Sequence, residues 1–346
     1  MNDIIYNMGG VSGAVIGALC VLGFVGFLTV AALRVGVTFV VRRLASLVFI
    51  VLCISFITFT LSLAVPSDTV YAQLGNHYRP VLATQLRHYY GLDLPWYVQY
   101  LQYLDGILHF DFGYSWVDST QSVVSIFARY LPASLELGIW GTVLTLVMGA
   151  PLGLLSSVRA NSWVDSSIQF VAMLLYILPT FVLIPFFEIA MIALNNQGLP
   201  ALATSGWGTW DTEIGPILLF AAGSFGYYVR LTRSTMLEEL GKDYIRAARA
   251  KGLTERVVLW RHAFRNTLIP LVTSLGPALG GLVGGLFIVE GLFNIPGIAT
   301  EELAAIGSHD VPVIVGTTIL LSTAVVFMNV VTDVSYGFVD PRVKSA

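Results

Sequence analysis

Apolar residues run through this chain in blocks far longer than a globular core requires, and polar positions divide it into a series of spans. Crossing a bilayer takes a helix of about 20 apolar residues. Val11–Leu33 and Leu44–Val65 both meet that requirement, with Arg34, Arg42 and Arg43 between them. The pattern recurs in Leu131–Val158, Ser166–Leu194, the shorter Pro216–Leu231, Thr267–Val289 and Val313–Val334. Ser166–Leu194 contains Pro179 and Pro185. Proline frees carbonyls that lipid cannot satisfy, so this span is expected to break on a face turned into the bundle. Glycines recur at four-residue spacing, as Gly149 and Gly153 and as two rows, Gly276, Gly280, Gly284 and Gly281, Gly285. Such rows permit close helix crossing or leave room beside a pore. The pattern predicts an all-α polytopic membrane protein with six core spanning helices, residues 37–346, and one extra N-terminal spanning helix in residues 1–36.

The polar stretches add an orientation. Arg42 and Arg43 stand at the start of the second span, and the positive-inside rule places them in the cytoplasm and the N-terminus outside. Of the other basic residues, only Arg79, Arg87 and Arg129 then fall outside. The stretch Pro66–Arg129 is external in this topology and rich in aromatic residues, so it reads as an ordered cap of about 66–130. Pro80–Tyr90 and Pro95–Leu108 are expected to form short helices within it. Trp207 and Trp210, in a second external loop at Asn195–Gly215, suit the headgroup belt.

Composition agrees with the membrane reading: 56% of residues are hydrophobic and 11% charged, where a soluble domain carries about 25% charged. The net charge of −3 is small, and nothing points to nucleic acid. Asp3 is the only charge before the first span, so a cleavable signal peptide is not expected. Cys20 and Cys53 lie inside apolar spans and read as small buried hydrophobes, and no Cys/His pair has metal-ligand spacing.

One stretch joins a dense positive patch to a membrane span. Arg246, Ala247, Ala248, Ala250, Lys251 and Gly252 open a segment that continues through Arg256, Arg261 and Arg265. Small residues admit close approach of another backbone, and Gly252 supplies a turn. That suits a helix-turn-helix docked in a cleft of another protein, within a cytoplasmic loop of about 238–266. A basic segment that only attracts anionic lipid is the alternative.

Arg246-Ala247-Ala248 followed by Gly252 resembles the coupling loop of ABC importer permeases. Arg261-His262-Ala263-Phe264-Arg265-Asn266-Thr267-Leu268-Ile269-Pro270 resembles its form in the dipeptide, oligopeptide and nickel branch. Gly91-Leu92-Asp93-Leu94-Pro95, Asp111-Phe112-Gly113-Tyr114-Ser115, Glu290 to Gly297, His309 to Pro312 and Asp340-Pro341-Arg342 resemble further segments of that branch, in order. Two departures stand in the loop: Arg246 replaces the acidic residue that opens the general motif, and the gap from Gly252 to Pro270 is longer than in the general pattern. The resemblance implies a multi-pass cell-membrane permease subunit that imports peptides or a similar small solute. It implies as partners a homologous second permease subunit, two ATP-binding subunits that hold ATP and magnesium, and an extracytoplasmic solute-binding protein. It assigns the ATP-binding-subunit contact to Arg246, Ala247, Ala248, Ala250, Lys251 and Gly252.

Gly241-Lys242-Asp243 lacks the upstream glycine and following hydroxyl of a phosphate-binding loop, so no cofactor is expected in this chain and it is not expected to be an enzyme. Two other functions fit the sequence less well. An ion-coupled secondary transporter needs ionisable groups within the spans, and only Glu136, Glu188, Glu290 and Asp333 approach that, all near span ends. Glu188 stays a candidate for the solute pathway. An intramembrane serine protease finds a crude match in Gly10-Val11-Ser12-Gly13, but none of His77, His88, His109, His262 or His309 stands mid-span to serve as its base.

Overall fold

The computed structural model describes residues 37–64, 79–89 and 91–339. The extra N-terminal span, Cys20, the serine-protease match and the closing Asp340-Pro341-Arg342 lie outside the described residues. Among those described, helices dominate and no strand forms; a single isolated antiparallel bridge pairs Tyr114 with Ser122. Chain order gives α1 (Val37–Ala64), α2 (Pro80–Tyr89), α3 (Trp96–Leu108), α4 (Val123–Val158), α5 (Trp163–Ile177), α6 (Thr180–Asn196) and α7 (Trp210–Leu240). There follow α8 (Asp243–Ala250), a short helical turn at Glu255–Val257, a π-helical run at Val258–Phe264, α9 (Arg265–Phe293), α10 (Ile298–Ser308) and α11 (Val311–Val339).

Four of these helices are long and apolar enough to span a bilayer, and the pair α5 and α6, bent by 105° at its break, together makes a fifth candidate. The sixth expected span lies in α9, whose 29 residues extend about 43 Å at 1.5 Å per residue. The bend falls at Leu178 and Pro179, both in extended conformation. Proline disfavours helix in the residue before it, so one of the two expected break points holds. Pro185 sits inside α6 without ending it.

Helix ends depart from the hydropathy pattern where capping outweighs it. α4 begins at Val123 rather than Leu131 because the Ser122 side chain accepts from the Ser125 amide at 3.2 Å. α7 runs Trp210–Leu240 rather than Pro216–Leu231. Thr209 and Thr212 form a capping box, and Asp211 and Glu213 occupy the first turn, where carboxylates complement the helix dipole. The charges that end the apolar pattern therefore extend the helix. The segment after Glu290 holds not only a turn but also α10, which hydropathy did not indicate.

The most extensive helix pairing is α4 against α7. A Cβ on Gly153 would lie 2.6 Å from both Thr232 Cβ and the Val229 carbonyl oxygen, and one on Gly149 3.1 Å from Tyr228 Cβ. The four-residue glycine spacing is thus used for close crossing. Gly153→Leu is expected to cost about 1–3 kcal/mol by overpacking, read as a lower melting temperature in detergent. From the second glycine row of α9, Gly285 packs against Phe220 of α7, where a Cβ would stand 3.2 Å from the ring.

At the end of the bundle where α10 lies, two buried carboxylates organise the connections. Glu290, fully buried, accepts from the amides of Ala299 (3.0 Å) and Thr300 (3.2 Å) at the start of α10, while Ser134 of α4 accepts from the Ile298 amide at 2.8 Å. Gly297 lies so close to the Glu290 carboxyl that no Cβ fits. Asp310 accepts from the Ser115 hydroxyl and, at 3.0 Å, from the Trp116 amide, joining the segment after α3 to the corner between α10 and α11. His309 turns that corner with φ 58°. Trp207 donates to Glu136 at 3.2 Å, so it is held by α4 as well as being suited to an interface.

Candidate functional site

The other end of the bundle carries the basic elbow. Lys242 precedes α8, and Gly252 follows it with φ +77°, a left-handed conformation that glycine adopts without a side-chain penalty. No heavy atom lies within 4 Å of a Cβ built on Gly252. The turn therefore requires glycine for backbone conformation, and space around it is open. The π-helical run Val258–Phe264 then feeds directly into α9, so the elbow has no flexible linker to the membrane helix.

The elbow has two faces. Ile245 and Ala248 are buried, and they pack with Leu154 of α4, Met236 of α7 and Val258 and Ala263 of the π-helical run. Arg246, Ala247, Ala250, Lys251 and Gly252 are exposed. The small-residue surface expected from three alanines is thus made by two of them; Ala248 faces inward because it lies three residues after Ile245 on the same helix stripe. A second packed group, Ala150, Tyr228 and Leu271 with Phe264 alongside, lies between α4, α7 and α9. Phe264 flanks both groups.

Polar contacts fix the same region. Glu239, at the end of α7, accepts from Lys242 Nζ at 2.5 Å and from the Tyr244 hydroxyl, and Asn266 at the start of α9 donates to the Tyr244 oxygen at 2.8 Å. Tyr244 thus joins α7, α8 and α9. Arg249 holds Glu255 across the glycine turn, with Nη2 2.7 Å from Oε1 and Nε 3.2 Å from Oε2. The hydrogen bonds from Arg249 hold the Glu255 carboxyl below its ordinary value. A depressed carboxylate contributes while ionised and loses its contribution as pH falls through the lowered value, so this clasp is intact throughout the neutral range.

One layer deeper, Asp165 of α5 and Arg233 of α7 form a two-pronged ion pair, both contacts at 2.7 Å. The Asp165 carboxylate also accepts from the Ser156 hydroxyl of α4 at 2.5 Å and from the Asn161 amide at 2.9 Å. Gln169 donates to the Ser156 oxygen at 3.0 Å. Three spanning helices are pinned at one level, just inside the elbow.

The remaining candidates stand apart. Glu188 is half-exposed on α6 and has no hydrogen-bonding or ionic partner among the described residues. Gly276, Gly280 and Gly284 belong to α9, but their surroundings fall outside the described residues, as does the Asp333 side chain. Glu239, Tyr244 and Glu255 lie within the loop of about 238–266 expected from the sequence, but their contacts, and Asp165 as the partner of Arg233, were not expected. The (i, i+3) spacing of Glu239 and Lys242 is a local signal for one of these contacts. Asp165 and Arg233 lie 68 residues apart, and no local pattern links them.

Residues 149–345 match the family described as binding-protein-dependent transport system inner membrane component, and residues 36–138 match the N-terminal membrane component of such systems. The dipeptide transport system permease protein DppB of Bacillus subtilis (strain 168) is 34% identical over 309 residues, covering 88% of this chain and 97% of that protein. DppB of Lactococcus lactis subsp. cremoris is 37% identical over 259 residues, 75% of this chain and 84% of the relative. The oligopeptide transport system permease protein AppB of B. subtilis is 32% identical over 316 residues, 88% of this chain and 99% of the relative. With these matches and its apolar spans, the chain belongs to the binding-protein-dependent transport system inner membrane component family, as a multi-pass permease subunit of an ABC importer in the cell membrane.

Proposed function

We propose that this chain forms half of a translocation pathway for short peptides, driven by ATP hydrolysis in a neighbouring subunit that docks on the elbow. The carrying observation is the two-faced elbow. Its inner face is locked into the spanning helices by Ile245, Ala248 and Tyr244, while Arg246, Ala247, Ala250, Lys251 and Gly252 stay exposed. A push on that exposed face would move α7 and α9 as packed bodies rather than bend a linker. In this reading the elbow faces the cytoplasm, as its positive charge favours. The assembly pairs the chain with a homologous permease, two ATP-binding subunits that carry ATP and magnesium, and an extracytoplasmic solute-binding protein. The relatives named for dipeptide and oligopeptide transport support peptides as the solute.

Ion-coupled transport has less support. Of the carboxylates near span ends, Glu290 caps α10 and Glu136 holds Trp207, which leaves Glu188 as the described candidate for ion binding. Proteoliposomes distinguish the two readings. Uptake of a labelled dipeptide is expected only when the ATP-binding subunits, the binding protein and ATP are all present. Uptake by this chain alone under an ion gradient would contradict the proposal.

A further inference from the structure

Beside the ion pair of Asp165 and Arg233, a cavity of about 350 Å³ opens between α5 and α7, lined by Gln169, Tyr227, Arg230, Leu231, Arg233 and Ser234. Most of its polar groups are committed elsewhere. Arg233 is engaged with Asp165, Gln169 donates to Ser156, and the Ser234 hydroxyl donates to the Leu231 carbonyl. Arg230 is different. Its Nε donates to the Gly226 carbonyl at 3.3 Å and its guanidinium lies 4.3 Å from the centroid of the Tyr176 ring. Among the described residues no carboxylate pairs with it. A guanidinium fixed by one nitrogen and by stacking keeps its outer N–H groups for an oxyanion. Because Asp165 and Arg233 neutralise each other, the cavity keeps the positive charge of Arg230.

Depth and surroundings narrow the anion. The α7 sequence from Ile214 to Val229 carries no charge, so Arg230 is the first charge at the basic end of that apolar run, the level of lipid phosphates. Outside the cavity lining, Phe170, Met173, Tyr176 and Ile177 of α5 are exposed large side chains, a surface suited to acyl chains. Basic pockets between spanning helices bind anionic headgroups by this combination of charge and apolar wall. We propose that the cavity holds the phosphate of an anionic phospholipid, with Arg230 as its charge partner and the Tyr227 hydroxyl beside it.

The test uses the assembled transporter, equilibrated in nanodiscs of phosphatidylglycerol and phosphatidylcholine, then released and counted for retained lipid by native mass spectrometry. The wild type is expected to keep phosphatidylglycerol in preference to phosphatidylcholine. Arg230→Gln should lower that retention at least about fivefold, Arg230→Lys should give an intermediate value, and Arg129→Gln at the opposite end should match wild type. Should Arg230→Gln fail to assemble, the lysine variant carries the test, since it keeps the charge and loses the fork. Retention in both Arg230 variants equal to wild type, or no preference for phosphatidylglycerol, would overturn the proposal. So would unchanged lipid retention with a raised KM for a dipeptide but not for its C-terminal amide, which would assign the cavity to the solute.

Discussion

Asp165→Ala is expected to destabilise the protein by about 3–5 kcal/mol, because it leaves the Arg233 guanidinium facing a part-buried site with no counter-charge. Asp165 is 5% exposed and Arg233 26%, so solvent recovers only part of the lost interaction. The same substitution strips acceptors from the Ser156 hydroxyl and the Asn161 amide. A fall of roughly 5–10 °C in the melting temperature of the purified protein in detergent is the expected reading. The double variant Asp165→Ala with Arg233→Leu should recover much of it, since removing both charges leaves no unpaired ion. A single variant within about 1 °C of wild type would show that α4, α5 and α7 are held by apolar packing alone.

Gly252→Trp is expected to abolish peptide-stimulated ATP hydrolysis by the assembled transporter while leaving membrane insertion intact. Two effects are separable here. Any side chain at φ +77° carries strain of about 1–2 kcal/mol, and Gly252→Ala measures that contribution by itself. The indole ring projects further, into the open space around Gly252, where the proposed neighbour would sit. Gly252→Ala is therefore expected to retain most coupled hydrolysis and Gly252→Trp almost none, with equal amounts of both in the membrane fraction. Coupled hydrolysis by the tryptophan variant at the wild-type level would place the docking contact elsewhere.

Much of the helical layout was legible in the sequence because lipid imposes a strong pattern: long apolar runs, glycine rows and proline breaks each have a physical meaning in a bilayer. The pattern located α1, α4, α9 and α11 and offered Pro179 and Pro185 as breaks, of which only Pro179 ends a helix. It failed at helix ends, where Ser122 and the Thr209 capping box decide, and at α10, whose start is held by Glu290 and Ser134 from other helices. The elbow was legible as a unit because a positive patch next to Gly252 and an apolar run is a local signal. Which of its alanines face outward was not, since that depends on where Ile245 finds Leu154 and Met236. The ion pair of Asp165 and Arg233 was hidden for the same reason, being made by the fold rather than by spacing.

The central claim is that the exposed face of α8 is where a nucleotide-hydrolysing neighbour takes hold. A cysteine cross-linking experiment tests it most directly. With Cys20 and Cys53 replaced by alanine, Ala247→Cys or Ala250→Cys in the assembled transporter should cross-link to the ATP-binding subunit and react with an impermeant thiol reagent only from the cytoplasmic side. Ala248→Cys, on the buried face, should do neither. Cross-linking of all three positions alike, of none, or labelling of Ala247→Cys from the outer side of intact cells would contradict the account.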